Sequence, residues 1–225
     1  MYPVNKLAHN WLIKELVNRQ VRKRLPALTG KVVDLGCGTR PFAPDISLHC
    51  EAYLGVDWEN TLHGLQADVI ADLNQRLPFD DCSFDNVVSF EVIEHLAEPD
   101  VMLAEAWRIL VPGGQLTLSA PFQWWVHEAP WDYQRFTRHG FAYRLTRAGF
   151  THIEITPTSG FWSMWVLKFN YQTVRLLRGP RTWRRIVRAA LIPVWFTNQC
   201  FAKLLDRCWQ AEEETAGYFV TASKP

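Results

Sequence analysis

Gly36, Gly38 and Asp57 are the residues whose types and spacing limit the chemistry of this chain most narrowly. The two glycines end the run Val32-Val33-Asp34-Leu35, and Asp57 closes Tyr53-Leu54-Gly55-Val56-Asp57, nineteen residues beyond Gly38. Glycines at the end of a strand remove the Cβ atoms that would keep a ligand off the backbone. A carboxylate at the tip of the next strand accepts hydrogen bonds from a pair of ribose hydroxyls. Together they predict a nucleoside-bearing cofactor. Dinucleotide folds put a third glycine three residues after the second, where a pyrophosphate meets a helix N-terminus. Here that residue is Pro41, behind Thr39 and Arg40, so a ligand without pyrophosphate is expected. Trp58, directly after the acid, is placed either to stack near an adenine or to pack under the sheet edge.

These residues need a parallel sheet beneath them, and the chain alternates accordingly. Lys31 to Leu35 and Tyr53 to Asp57 read as the first two strands, Val69 to Leu73 as a third and Asn86 to Phe90 as a fourth. Pro99 to Leu110 is amphipathic and stops at Pro112-Gly113-Gly114, as a crossover helix does. Gln115 to Pro121 alternates as a fifth strand. Thr137 is placed to cap a helix ending at Gly149, and His152 to Thr156 and Tyr218 to Ala222 are two further strands. Strands alternating with helices predict an α/β fold, a Rossmann-like doubly wound sheet.

The order V-V-D-L-G-C-G, G-V-D, A-D-L, L-P-F-D-D-C-S-F-D, F-E-V-I-E-H-L and L-V-P-G-G-Q-L resembles the class I S-adenosylmethionine-dependent methyltransferases, over residues 31 to about 156 and again at 217 to 223. The resemblance implies a seven-stranded sheet, mostly parallel with the last strand antiparallel beside the fifth, and a helical insertion before that last strand. It implies S-adenosyl-L-methionine as cofactor. Asp34, Gly36, Cys37 and Gly38 would hold its methionine end, Asp57 its ribose, and Asp72 with the backbone of Leu73 its adenine. Glu91 would complete the set after the fourth strand. No zinc spacing is found among the cysteines, and no metal is expected.

The acceptor is expected in the crevice beyond the fifth strand. There Pro121...His127...Pro130-Trp131-Asp132-Tyr133-Gln134-Arg135-Phe136-Thr137 resembles a stretch of methyltransferases associated with surface-glycan and lipid-linked sugar pathways. Amino-group methylators carry an Asn/Asp-Pro-Pro-aromatic motif after the fourth strand. Here that place reads Phe90-Glu91-Val92-Ile93, which disfavours N-methylation of adenine; the expected reaction is O-methylation of a small molecule, sugar or lipid-linked glycan. A hydroxyl is a poor nucleophile until its proton is withdrawn, and histidine is the usual base near neutral pH. His127 is the expected catalytic base, and Asp132 orients it or binds the acceptor. His95, Trp124, Tyr133 and Arg135 are the expected acceptor contacts. The competing expectation is structural, with Asp132 and Arg135 a fixed ion pair and the tryptophans core. An RNA-modifying enzyme and a catalytically inactive cofactor-binding protein are the alternatives; nucleic acid is the less favoured partner because no recognisable RNA module accompanies the basic residues.

Charge is segregated along the 225 residues. The formal total is +1, but residues 1–31 carry +6, residues 32–159 carry −11 and residues 160–225 carry +6. Residues 1–30 read as an N-terminal helical cover and 31–225 as the catalytic domain, with an aromatic and basic helical insertion at about 160–212. Five of the eleven tryptophans lie in that insertion. After Gly179-Pro180, Trp183, Ile186, Val187 and Ala190 share one helical side, and Arg181, Arg184, Arg185 and Arg188 the other. Such a helix suits an anionic membrane surface, or serves as a lid or dimer seam. No signal peptide is read at the N-terminus and no CxxC pair among the five cysteines. The expected setting is cytoplasmic, with peripheral contact at the inner face of the membrane.

Overall fold

A computed structural model of the chain describes residues 1–60, 64, 66–209, 211 and 213–225. Seven strands, β1 (Lys31–Leu35), β2 (Ala52–Asp57), β3 (Val69–Ile70), β4 (Phe84–Phe90), β5 (Leu110–Pro121), β6 (Thr151–Pro157) and β7 (Gly217–Ser223), form one sheet in the order β3-β2-β1-β4-β5-β7-β6. The β1, β2, β3, β4 and β5 neighbours pair in parallel, and β7 enters antiparallel to β5 from Gln115↔Ser223 to Pro121↔Gly217. Strand order reverses between β1 and β4, the switch point at which a crevice opens beyond the strands' carboxyl ends.

The sequence pattern explains the layers. Val32 to Leu35 are all buried, as required of a parallel strand covered on both faces. Helix α1 (Trp11–Arg24) precedes the sheet and α2 (Ala43–Ile46) follows β1. Helix α3 (Pro99–Ile109) starts with proline in its first turn and buries Met102, Leu103, Ala106 and Ile109, one stripe at helical spacing. Each such fully buried aliphatic side chain contributes about 1.5–3 kcal/mol. Helix α4 (Arg138–Arg147) is capped by Thr137, whose Oγ1 accepts from the Gly140 N–H at 3.0 Å.

Two boundaries differ from the sequence reading. The third strand stops at Ile70 because Asp72 Oδ1 accepts from the Asn74 N–H at 2.9 Å and from its Nδ2 at 2.8 Å, turning the chain locally. The fifth strand begins at Leu110, directly after α3, with Gly113 at φ 80° accommodating the bend inside it.

The chain divides into two compact units, one of Met1, Val21–Thr156 and Gly217–Pro225, the other of Tyr2–Gln20 and Pro157–Ala216. The first holds the sheet. The second is built on α5 (Phe161–Leu176) and α6 (Arg181–Cys208). Asp206 of α6 caps the start of α5, accepting from the N–H groups of Trp162 at 2.9 Å and Ser163 at 3.1 Å. Trp195 Nε1 donates to Thr173 Oγ1 at 2.9 Å, and Asn198 Nδ2 to Asn170 Oδ1 at 2.7 Å. The N-terminal segment joins the same unit: the Leu12 N–H donates to Gln199 Oε1 at 3.0 Å, and Lys203 pairs with Glu15 at 2.6 Å. Among the described residues no helix is long and apolar enough to cross a membrane.

Candidate functional site

An open cleft lies at the switch point, where ligands of such sheets bind. One wall is made of backbone. Gly36 and Gly38 hold φ 81° and 51°, a region that glycine enters without cost. A Cβ on Gly36 would run into the Val92 methyls, whereas one on Gly38 would meet nothing within 4 Å, so Gly38 leaves its side of the cleft open. Asp57 Oδ2 accepts from the Gly38 N–H at 2.7 Å and Oδ1 from the Trp58 N–H at 2.8 Å. The carboxylate is thereby fixed at the strand tip with lone pairs left over for a diol. Trp58 meets Trp131 edge to face with centroids 5.3 Å apart.

Seven of the expected cofactor residues line this cleft: Gly36, Gly38, Asp57, Trp58, Asp72, Leu73 and Glu91. Asp34 and Cys37 do not. Asp34 is buried and accepts from the Tyr53 hydroxyl at 2.6 Å; burial, only partly opposed by that hydrogen bond, pushes its carboxyl up to about 7. Cys37 is buried, and burial pushes its thiol up to about 11.

The other wall is made of titratable side chains from the loops after β4 and β5. Glu91 stands at φ 56° and Glu128 at φ 53°, left-handed conformations that a non-glycine residue holds at a cost of order 1–3 kcal/mol. Both line the cleft. Ser119 donates to Glu91 Oε1 at 2.6 Å, and burial pushes the Glu91 carboxyl upward despite that bond. Glu94 is completely buried, its carboxyl raised well above the usual range by burial and then by the charge of Glu91. His95 Nδ1 contacts the Trp131 carbonyl at 2.5 Å, and the His95 and His127 rings lie 4.9 Å apart, nearly edge to face.

His127 and Asp132 meet as the sequence reading expected, with Nδ1 3.2 Å from Oδ2. Asp132 also accepts from the His127 N–H at 2.8 Å and from Arg135 at 2.5 and 2.7 Å. Its burial alone would raise the carboxyl, but these hydrogen bonds and the guanidinium charge hold it at about 2. Burial and the neighbouring His95 lower the His127 imidazole, favouring the neutral ring. Arg135 Nη2 also donates to the Trp125 carbonyl at 3.0 Å and Nη1 to the Gln134 carbonyl at 2.7 Å, while its buried Nε has no hydrogen-bond partner. It clamps the loop, the structural expectation for this pair. Trp124 stacks on Trp125 at 4.2 Å, and Tyr133 is exposed while its N–H donates to the Glu94 carbonyl at 2.9 Å.

Of the expected acceptor residues, only His95 lines the cleft itself. Asn74, Val92, Leu96, Glu128 and Trp131 line it as well. Trp131 lies within the Pro-x-Asp-Tyr stretch and carried a signal. The other four become legible only once the loops after β3, β4 and β5 are brought together.

Residues 33–118 match the family model described as a methyltransferase domain. Those residues form part of a methyltransferase domain, and the sheet order is the one that the resemblance to the class I S-adenosylmethionine-dependent methyltransferases implied. A probable S-adenosylmethionine-dependent methyltransferase of Mycolicibacterium smegmatis is 34% identical over 96 residues, 40% of this chain and 37% of that protein. A ubiquinone biosynthesis O-methyltransferase of Cereibacter sphaeroides is 26% identical over 72% of this chain and 79% of its own length. The matches to the first curated relatives span about half of those proteins or less. Among solved structures, a SAM-dependent methyltransferase from Archaeoglobus fulgidus superposes with a TM-score of 0.60 at 18% identity, covering 94% of each chain.

The cleft of the methyltransferase domain fits the family's cofactor on its own geometry. The open side of Gly38, the fixed Asp57 carboxylate and the flat faces of Trp58 and Trp131 suit a nucleoside. The acids around them suit a ligand carrying a sulfonium and an ammonium.

Proposed function

We propose that this chain is an S-adenosylmethionine-dependent O-methyltransferase acting on a hydroxyl of a small molecule, sugar or lipid-linked glycan. The observation that carries the reading is the pair His95 and His127 facing Glu94 where the cofactor cleft opens between the loops after β4 and β5. Bound S-adenosylmethionine supplies an electrophilic methyl group on sulfur. The chain's own part is to align the acceptor, keep water away and withdraw its proton. Asp57 and the glycine turn hold the nucleoside side. Trp58 and Trp131, nearly perpendicular to one another, give the cleft an aromatic corner against which a ring can lie. The proton leaves at the His95–His127–Glu94 centre, and Asp132 fixes the His127 ring for it. The O-methyltransferase named among the relatives supports oxygen as the acceptor atom.

The test is incubation of the protein with methyl-labelled cofactor and polar and lipid extracts, followed by mass spectrometry. A labelled product whose methyl is on oxygen, and whose formation requires His127, supports the reading. Calorimetry showing no cofactor binding would favour an inactive protein of the same fold, and label appearing in RNA would favour the alternative substrate class.

We also propose that the second unit rests on an anionic membrane surface. Its support is a stripe along α6 in which Trp183, Ile186, Val194, Phe201 and Leu204 are all exposed and fall within about 80° of arc at helical spacing. Arg181, Arg184, Arg185 and Arg188 are exposed on the other side of the same helix. Flotation with anionic vesicles should carry the protein upward, neutral vesicles should not, and replacement of the four arginines by glutamine should abolish the difference.

A further inference from the structure

Glu94 has an environment that the two histidines alone do not explain. Its side chain is fully buried and neither carboxylate oxygen has a hydrogen-bond partner. A buried carboxylate left so is costly unless a cation accompanies it. Two imidazole nitrogens face the same oxygen, His95 Nε2 at 3.5 Å and His127 Nε2 at 3.8 Å from Oε1. A shared proton does not account for this, because both separations are too long for hydrogen bonds.

The remaining ring nitrogens bear on what each Nε2 carries. The Trp131 carbonyl at His95 Nδ1 can only accept, so Nδ1 holds the hydrogen and Nε2 a lone pair. His127 Nδ1 lies 3.2 Å from Asp132 Oδ2 and 3.4 Å from Arg135 Nη2, which can only donate, so this ion pair fixes the ring while leaving the hydrogen on either nitrogen. One imidazole lone pair and a second imidazole nitrogen therefore converge on a buried carboxyl oxygen. One ligand atom from each of Glu94, His95 and His127 lies within 4.8 Å of the others. Imidazoles whose outer nitrogens are held by a carbonyl and a carboxylate are the usual surroundings of a bound metal.

We propose that Glu94, His95 and His127 bind a divalent transition-metal ion at the acceptor end of the cleft. Two nitrogens and one oxygen favour a Zn²⁺-like ion over Mg²⁺ or Ca²⁺, which prefer oxygen throughout. Three protein ligands leave a coordination position open, as catalytic zinc sites do. His95 lines the cleft, with Glu128 Oε2 only 3.9 Å from its Nε2, so the open position is on the side where an acceptor would enter. This revises the expectation of no metal. The ligands belong to two loops more than thirty residues apart in sequence, and no short spacing announces them.

The consequence for catalysis rests on the methyltransferase reading above. The cation would hold the acceptor oxygen and make its O–H more acidic. As the O–CH₃ bond forms, the S–CH₃ electron pair returns to sulfur and the sulfonium becomes a thioether; with Glu94, His95 and His127 engaged as ligands the centre acts by acidifying the hydroxyl instead of as a free base, and the proton passes to water.

The experiment uses the full, tag-free chain, stripped with chelator and titrated with ZnCl₂ alone, metal being counted by mass spectrometry. CoCl₂ serves as a visible-absorption probe, and cofactor binding is followed in parallel by calorimetry. One zinc per chain, cobalt d–d bands of a four- or five-coordinate site, and at least a tenfold weakening in Glu94→Gln and His127→Ala are expected. Cofactor binding in both variants should stay near that of the parent, showing that they fold. Substoichiometric zinc, or binding unchanged in both variants, overturns the site. If both variants fail to fold, the cobalt spectrum of the parent decides: octahedral bands of hydrated cobalt alone overturn the proposal. Zinc bound at this site without any cofactor binding leaves the metal site standing and removes the methyltransferase reading instead.

Discussion

The two walls of the cleft are built by different means. The wall after β1 and β2 is backbone and one fixed carboxylate: Gly36 and Gly38 at positive φ, and Asp57 held by two N–H groups. The wall after β4 and β5 is crowded with ionisable side chains, among them a fully buried glutamate without a hydrogen-bond partner and two non-glycine residues at positive φ. A backbone wall serves a ligand of fixed shape. The second wall stores unpartnered polar groups and backbone strain, which suits chemistry on a developing charge more than mere binding. If that division is right, substitutions on one wall should change affinity for cofactor and those on the other should change turnover.

The largest separation should come from His127→Ala. Loss of a proton-withdrawing centre costs about 10²–10⁴-fold in rate, so kcat should fall by that order in a methyl-transfer assay while the cofactor Kd stays within a few-fold. A comparable loss of cofactor affinity would erase the distinction between the walls. Asp57→Ala should do the reverse. Hydrogen bonds to a charged acceptor are worth about 1.5–3 kcal/mol, so cofactor affinity should drop roughly 10- to 100-fold by calorimetry, with kcat largely recovered at saturating cofactor.

The same division explains what could be read from the sequence. Val32 to Gly38 and Asp57 are local signals: a buried strand, a turn that needs glycine, an acid at the next strand tip. Each is legible because one short segment contains its own physical reason. The sheet order followed from the series of such segments, and β7 lies antiparallel to β5 as the resemblance implied. Glu94 stands in the sequence as one acid of the run Glu91-Val92-Ile93-Glu94-His95. What makes it unusual is the arrival of His127 and Trp131 from a loop beyond a different strand, together with the exclusion of water, and neither is encoded in neighbouring residues. Arg135 shows the converse. The sequence places it as an acceptor contact, yet Asp132 and two carbonyls take its terminal NH₂ groups once the loop closes.

Asp34 tests whether the backbone wall is as free of stored charge as its lining suggests. It lies buried beneath that wall, facing the Tyr53 hydroxyl, with Asp57 and Arg40 as the charged groups acting on it. Its carboxyl titrates near 7 in the folded chain and near 4 when unfolded. Between those values the folded state binds more protons, so this stabilisation is complete below about pH 4 and is lost as pH rises through 7, at no more than about 1.4 kcal/mol per pH unit. In urea unfolding, Asp34→Asn should lose stability less steeply than the parent from pH 5 to 7.5. Parallel slopes would show that Asp34 ionises normally.

The smallest effect is expected at Asp72. Like Asp57 it is an acid lining the cleft, but it is exposed and its Oδ1 is turned onto Asn74. An exposed carboxylate in water contributes less than about 1 kcal/mol through charge alone, so Asp72→Ala should change cofactor affinity by no more than about fivefold. The contrast with Asp57 is the sharper measurement. Two aspartates share one wall, one fixed by backbone donors from the glycine turn and one bound into its own loop, and calorimetry of the two variants side by side reads how much of the affinity comes from preorganising the carboxylate. A drop at Asp72 as large as that at Asp57 would mean that charge near the nucleoside, not its fixation by Gly38, sets the binding.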